Sequence, residues 1–330
     1  MPFDSNTPVL YLEKLYSMEF YENTSNERKR EQVLKDINFS AGVGEIWAII
    51  GFSVFEIRLL LEIMANSKAY EKGIMMVSGT DTSRRKRVIL QDIFYIGSTN
   101  MAFGNMNVLE YLMFITSRKR KPAVDRQEAL LEFLLEAELG YVCLTPIGKL
   151  TVEEKSILIL IAAVLSDSRL IIMNLPRLQY DLKQIAAIKK VTQRLIKHGK
   201  TLVFSSQCYA LSQSICTNIC YVYNGQIIHM SELNEFLNKY DRVIYTINAD
   251  NSTGMSNSCI QDVLKLVLPD FEYCIDNEAV NIIDKGNNPN AYQRLYKAFI
   301  NYNLNPVIIR KNTKNLNNAI SELIKTHDIR

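Results

Sequence analysis

The stretch from Gly44 to Met64 constrains this chain more than any other. A short apolar run, Ile46 to Ile50, stops at Gly51; Phe52 to Arg58 follow, and then the amphipathic Leu59, Leu60, Leu61, Glu62, Ile63 and Met64. An apolar run too short for a helix, a glycine and a helical period read as buried strand, turn and helix. Val33 to Phe39 ahead of it fits an antiparallel strand leading in.

The same units recur along the chain. Val9 to Leu15 and Val33 to Phe39 read as strands joined by a polar hairpin loop over residues 22–30. Gly73 to Gly79 reads as an edge hairpin and Ile93 to Gly97 as a strand. Residues 107–141 have a helical pattern broken at Pro122, with Asp125 as N-cap of a helix from Arg126 to Leu139 and Gly140 as its stop. Helices over Ser156–Leu165 and Ile185–His198 alternate with buried strands over Leu170–Met173 and Thr201–Ser205. Cys220 to His229 forms a hairpin on Asn224–Gly225, a strong turn signal. Short buried strands alternating with helices imply a largely parallel sheet with antiparallel hairpins at its edge, an α/β fold.

Composition shifts near Tyr240. Beyond it strand, helix, two strands, helix and strand follow in the order β-α-β-β-α-β, the split pattern of a small α+β ferredoxin-like domain, with a last helix over Leu316–Lys325. The expected domains are therefore 1–240, with a helical subdomain over about 100–165, and 241–330.

The bulk properties exclude several classes. An apolar fraction of 48% and a charged fraction of 22% are those of a folded globular protein. A net charge of +3 over 330 residues gives no argument for nucleic acid. The longest apolar run, Ile157 to Leu165, has nine residues, against the roughly 20 that a spanning helix requires. The N-terminus has no basic, apolar leader pattern. Six scattered cysteines without a C-x-x-C spacing read as reduced thiols; Cys216 and Cys220, one turn apart, have no neighbouring histidine to complete a metal site.

Gly51 to Arg58 stands where a phosphate-binding loop, G-x-x-x-x-G-K-[ST], belongs. In that motif glycines let backbone N–H groups close on phosphate, the lysine reaches the outer phosphates and the hydroxyl holds magnesium. Gly51 and Ser53 keep part of the frame. The second glycine is Glu56, the lysine is Ile57 and the hydroxyl residue is Arg58. Arg58 points about 100° around the helix from the lysine position, so it reads as a surface or structural residue and not a substitute. Ser83 to Arg87 and Ser117 to Lys121 read as solvated basic surface, Trp47 as core, and His198 and His229 as surface or edge positions.

The order and spacing of these segments resemble the ATP-binding subunit of an ABC transporter, nearest to export-type ATPases with a small C-terminal domain. Val33–Phe39 with Gly44–Gly51 is similar to the family's approach to its phosphate loop, and Ile93–Ser98 to its glutamine-loop strand. Asn107–Leu112 resembles the helical-subdomain start, Lys149–Lys155 the signature LSGGQ, Leu170–Pro176 the Walker B strand, and Leu178–Asp181 the S-G-L-D loop. Lys200–Gln207 resembles the strand to the switch histidine, and Asn315–Ile320 the S-L-E-D-V-F near the end. Each motif alone is weak; the series in order is specific and covers most of the chain.

The resemblance also places the losses. The glutamine is Ser98, the signature glycines are Val152 and Glu153, the Walker B aspartate is Asn174, the catalytic glutamate is Leu175 and the switch histidine is Gln207; Thr151, Pro176, Asp181 and Ser205 keep family-like chemistry. Phosphoryl transfer is positioning and electrostatics, and a neutral Asn174 and an apolar Leu175 supply neither a metal shell nor an oriented water. Phe20 or Tyr21 lies near the family's adenine-stacking position. The implied protein is a P-loop NTPase-like cassette that is catalytically inactive, with no catalytic residue, no metal site and no cofactor expected where the family uses ATP and magnesium. The family's partners would be a membrane permease and an intact ABC ATPase in a homo- or heterodimer, at the cytoplasmic face of the membrane. The alternative is a stand-alone regulatory or scaffold protein that reuses the fold.

Overall fold

In a computed structural model, the structure describes residues 7–22, 28–83, 91–118, 122–241, 243–249, 256–276, 279–284, 290–302, 306–311 and 314–327. They form two compact units, Met1–Leu233 and Asn234–Arg330.

In the first unit β1 (Leu10–Glu22), β2 (Arg28–Ala41), β4 (Lys72–Val77) and β5 (Thr80–Asp81) form an antiparallel sheet in the order β2-β1-β4-β5. The ladder between β1 and β2 runs on to the pair Glu22↔Arg28, so the strands extend into the expected 22–30 loop. A six-stranded sheet in the order β10-β9-β3-β8-β7-β6 lies beside it, built from β3 (Ile46–Gly51), β6 (Ile93–Ile96), β7 (Leu170–Asn174), β8 (Thr201–Ser205), β9 (Asn218–Tyr223) and β10 (Gln226–Glu232). Pairings from β6 through β9 are parallel, and the β9–β10 edge hairpin is antiparallel. The parallel strands are short apolar runs because both faces are covered.

Helix α1 (Val54–Met64) packs into a core shared by both sheets, so Ile57, Leu59, Leu60, Leu61, Ile63 and Met64 are all buried. This helix starts earlier than the expected turn over 52–58, because Ser53 caps it: its side chain accepts from the Glu56 N–H. Trp47 is core, edge-on to Phe39 at 4.9 Å, with its indole N–H donating to Glu45 at 2.7 Å.

The helical segment contains α2 (Val108–Ile115), α3 (Ala123–Glu136) and 3-10 turns at Gly140–Val142 and Ile147–Lys149. Asp125 is not the N-cap of α3. Pro122 holds that place, where its missing N–H costs nothing, and Asp125 falls in the acidic first turn. The helix ends before Gly140, because Glu138 turns to φ +58°. α4 (Val152–Leu165) starts four residues before the expected Ser156 because Thr151 and Glu154 form a reciprocal capping box. α5 (Leu182–Lys197) likewise starts early, on a box between Asp181 and Gln184. α6 is Tyr209–Ile215. Among the described residues no helix is long and apolar enough to cross a membrane.

The second unit begins within α7 (Leu233–Tyr240). Its antiparallel sheet of β11 (Val243–Ala249), β12 (Phe271–Asp276), β13 (Ala279–Asp284) and β14 (Pro306–Lys311) has the order β12-β13-β11-β14. α8 (Asn257–Val267) and α9 (Ala291–Asn301) share one core with it, through Ile260 and Leu264 on one helix and Leu295 and Phe299 on the other. α10 (Leu316–Thr326) closes the chain.

Candidate functional site

In an open parallel sheet ligands meet the carboxyl ends of the strands, and phosphates meet the helix N-terminus that follows. Here those places are the ends of β3, β7 and β8 with the start of α1.

Gly51 ends β3 in register with Val222 of β9. A Cβ on Gly51 would lie 2.2 Å from the Val222 carbonyl oxygen, so only glycine fits. Past it the chain does not open into a cradle. Ser53 caps α1, the Glu56 N–H is taken by the Ser53 hydroxyl at 3.3 Å, and the Ile57 N–H bonds the Ser53 carbonyl at 3.2 Å. Two of the amides a phosphate would use are therefore spent within the helix. Glu56 turns aside to the β9–β10 turn, where its carboxylate accepts from the Gly225 N–H at 3.0 Å. Ile57, at the lysine position, is 5% exposed and part of the core. Arg58 points outward, 3.6 Å from Glu62 and over the Phe55 ring, so it is a surface residue as its place on the helix implies. A cavity of about 320 Å³ lies beside them, lined by Gln32, Val33, Lys35, Ser53, Phe55, Glu56 and Asn224.

At the ends of β6, β7 and β8 the polar groups satisfy one another. Asn174, 6% exposed, donates through Nδ2 to the Tyr95 hydroxyl at 3.2 Å, and the Ser205 hydroxyl donates to its Oδ1 at 3.5 Å. Burial pushes the Tyr95 phenol up, against the lowering effect of the Asn174 bond. The chain of groups is neutral, without the carboxylate that a divalent cation favours. Leu175 is half-buried. Gln207 is exposed and donates its backbone N–H to the Pro176 carbonyl. Ser98 is exposed, and its hydroxyl accepts from the Asn100 N–H at 3.0 Å.

The signature-like segment is the first turn of α4. Thr151 and Val152 are exposed and Glu153 is half-buried. Glu154 receives the Thr151 N–H at 2.9 Å and the Tyr141 hydroxyl at 2.9 Å, while Thr151 receives the Glu154 N–H at 3.1 Å. Beside this turn, Glu138, Leu139, Tyr141, Asp181, Lys183, Gln184 and Ala187 line a cavity of about 490 Å³. Burial and the bond to Glu154 push the Tyr141 phenol up to about 12.

The remaining sequence candidates have ordinary surroundings. Cys216 and Cys220 are buried; burial pushes the Cys216 thiol up to about 12 and raises Cys220 as well, which keeps both protonated. Among the described residues no group of three His, Cys, Asp or Glu side chains could hold a metal. His198 sits 2.7 Å from the Arg194 carbonyl and His229 3.0 Å from the Ser231 hydroxyl. Ser83 bonds Asp81 through its N–H and its hydroxyl, and Arg118 is exposed. Residues 84–87 and 119–121, and the side chains of Phe20 and Tyr21, lie outside the described residues. Sequence reasoning missed Tyr95 and Gly225 as partners of the site. The spacing Thr151-x-x-Glu154 was a readable signal for the α4 cap.

No family model matches the chain. Among curated proteins it is similar to the lantibiotic transport ATP-binding protein SrtF of Streptococcus pyogenes, 20% identical over 216 residues, covering 63% of this chain and 87% of that protein. It is 24% identical over 252 residues to the methionine import ATP-binding protein MetN 1 of Oenococcus oeni, covering 73% of this chain and 70% of the other. The ribose import ATP-binding protein RbsA of Bacillus subtilis is 22% identical over 227 residues; the match takes 65% of this chain but spans only 44% of RbsA. Among solved structures, cbiO1 from Clostridium perfringens, part of an ABC transporter complex, has a TM-score of 0.57 at 16% identity, over 80% of this chain and 97% of its own. A dimeric bacterial ABC transporter cassette has a TM-score of 0.56 at 18% identity, over 68% of this chain and 98% of its own. The chain has the fold of an ABC ATPase cassette, and its curated relatives are ATP-binding subunits of ABC transporters.

Proposed function

We propose that this chain is a catalytically inactive ATP-binding-type subunit of an export-type ABC transporter, which anchors or modulates the assembly and does not turn over nucleotide. The observation that carries the reading is the neutral network of Tyr95, Asn174 and Ser205 at the strand ends. A magnesium-bound phosphate needs anionic or strongly polar oxygen donors there, and a water to be activated needs a base. Leu175 supplies no base, and the Asn174 amide oxygen is neutral and already accepts from the Ser205 hydroxyl. The buried Ile57 removes the cation that would face the outer phosphates. In this reading, among the described residues, neither ATP nor magnesium has the full set of ligands that the motif supplies.

In this reading residues 1–240 form the cassette and residues 241–330 a small α+β domain. SrtF is a lantibiotic transport protein, while RbsA and MetN 1 are import proteins, so the export-type assignment rests on the order of the sequence motifs and the small C-terminal domain. A membrane permease subunit is the partner, with the chain peripheral at the cytoplasmic face. Phe103 and Phe114, each 51% exposed with ring centroids 5.3 Å apart, support that partnership, because paired exposed aromatics in the helical segment are the kind of anchor a helix from a partner covers.

The test has two arms. Magnesium-dependent phosphate release by the purified chain is expected at the buffer blank, and calorimetric titration with ATP is expected to show no micromolar binding. Turnover that survives repurification would overturn the inactivity. Failure of a permease encoded beside it to co-purify in detergent would leave the stand-alone scaffold instead.

A further inference from the structure

We infer that Glu56 is a built-in anion that does for this fold what a bound phosphate does for a working loop: its carboxylate latches the start of α1 to the turn between β9 and β10. The inference rests on the proposed loss of nucleotide chemistry only in supposing that no phosphate competes for the place.

The geometry begins with the turn. Asn224 and Gly225 both have positive φ, 49° and 73°, the conformation of a two-residue hairpin turn whose second central N–H is not used across the hairpin. That N–H needs a partner, because the turn is pressed against the body of the unit. A Cβ on Gly225 would lie 1.8 Å from the Val33 carbonyl, and the Gly225 carbonyl accepts from the Lys35 N–H at 2.8 Å. Glu56 Oε2 supplies the partner at 3.0 Å, across 169 residues of sequence. One glutamate thus joins α1 to a turn that is itself bonded to β2.

The position of Glu56 in the helix explains why an acid stands there. It is the third residue of α1 after the Ser53 cap, in the first turn, where a negative charge is favoured by the helix dipole. A phosphate at such a helix start would receive backbone N–H groups and offset the same dipole. The carboxylate offsets the dipole from within the chain and receives an N–H from the neighbouring strand pair. A bound anion beside it would meet like charge. Glu56 therefore both replaces the ligand and excludes it, and the substitution at the glycine position reads as an exchange of a bound anion for a covalent one.

The test is amide exchange at Gly225, read with thermal unfolding in the full chain for wild type, Glu56→Gln, Glu56→Ala and Glu56→Asp, each with and without inorganic pyrophosphate. A hydrogen bond to a charged group holds an amide closed by about ten- to a hundredfold. Glu56→Ala is expected to speed Gly225 exchange by that factor and to lower the melting temperature. Glu56→Gln, which keeps an oxygen at the same reach but loses the charge, is expected to speed exchange severalfold, less than alanine does, and it carries the test if the alanine variant does not fold. Glu56→Asp keeps the charge but is one methylene short, and is expected to speed Gly225 exchange as alanine does. Pyrophosphate is expected to leave wild type unchanged. Equal Gly225 exchange in wild type and Glu56→Asp, or a wild type stabilised by pyrophosphate, overturns the inference. A wild type that hydrolyses ATP, yet whose Gly225 protection depends on Glu56, would sink the proposed inactivity and leave the latch standing.

Discussion

Putting back the missing lysine is the most direct challenge to the idea that the loop is no longer a phosphate site. We expect Ile57→Lys to unfold the first unit more readily and to bring no ATP binding. Ile57 is 5% exposed, and its Cδ1 lies 3.4 Å from where a Gly51 Cβ would be. Burying an isoleucine side chain stabilises by about 1.5–3 kcal/mol, which the variant forfeits. Its ammonium must then stay dry or push out along the helix start, where the positive end of the dipole opposes it. With that added, the loss is about 3–5 kcal/mol, against a total stability of about 5–15 kcal/mol. At a urea dependence of about 3 kcal/mol per molar the midpoint of the first unit falls by roughly 1–1.7 M. The transition of the second unit, which has its own core, stays where it was. Urea melts followed at Trp47, the only tryptophan, read the first unit selectively. A variant that melts with wild type and titrates ATP at micromolar affinity would show that α1 starts late and the loop opens, and the reasoning would fail.

Two further outcomes follow from the buried polar groups. Tyr95→Phe is more apolar than tyrosine, yet it should destabilise the first unit by about 1–3 kcal/mol, because Asn174 Nδ2 loses its acceptor inside the fold; a neutral result in chemical denaturation would mean that water or another group takes the bond. Asp241, 4% exposed, accepts from the Asn315 N–H at the start of α10, and burial raises its carboxyl above the ordinary value. A raised folded pKa gives stability that is fully present below the unfolded value of about 3.9 and is lost as pH rises through the folded value. The second unit of wild type should therefore lose stability relative to Asp241→Asn as pH rises above about 4, and a difference that stays constant with pH would contradict it.

The parallel sheet was legible because its strands are buried on both faces and so read as unbroken apolar runs, Leu170 to Met173 and Thr201 to Ser205 among them. The Asn224–Gly225 hairpin was legible because its turn demands positive φ. Helix starts were read too late at α1, α4 and α5 for one reason: apolar periodicity marks where a helix meets the core, whereas its first turn projects beyond the core and is set by caps. Ser53, Thr151 and Asp181 were the signals, each bonded to the N–H three residues on. The departures from the motif at positions 56–58, 174, 175 and 207 were readable residue by residue. The contacts that stand in its place were not. Tyr95 and Asn174 are 79 residues apart and Glu56 and Gly225 169 apart, and no local pattern pairs them.

The caps bear on association as well as on the chain's own site. A helix N-terminus attracts an anion through unsatisfied N–H groups and an uncompensated dipole. At α4 the Thr151–Glu154 box has used two of those donors and placed a carboxylate in the first turn, with Glu153 beside it and the Tyr141 hydroxyl closing over Glu154. A phosphate presented there by a second cassette would meet a carboxylate at close range, a repulsion of about 1–4 kcal/mol even in a wet site. Without nucleotide to bridge two copies, any association must come from protein contacts alone. Val152, 47% exposed, and Leu182, 84% exposed, offer apolar surface at the starts of α4 and α5, where a phosphate contact would need polar groups. We therefore expect light scattering to give the same mass with and without magnesium-ATP, across a range of protein concentrations. Association that appears only with ATP would mean that the N–H groups around Thr151 still close on phosphate despite Glu153 and Glu154, and that the capping box opens when nucleotide arrives.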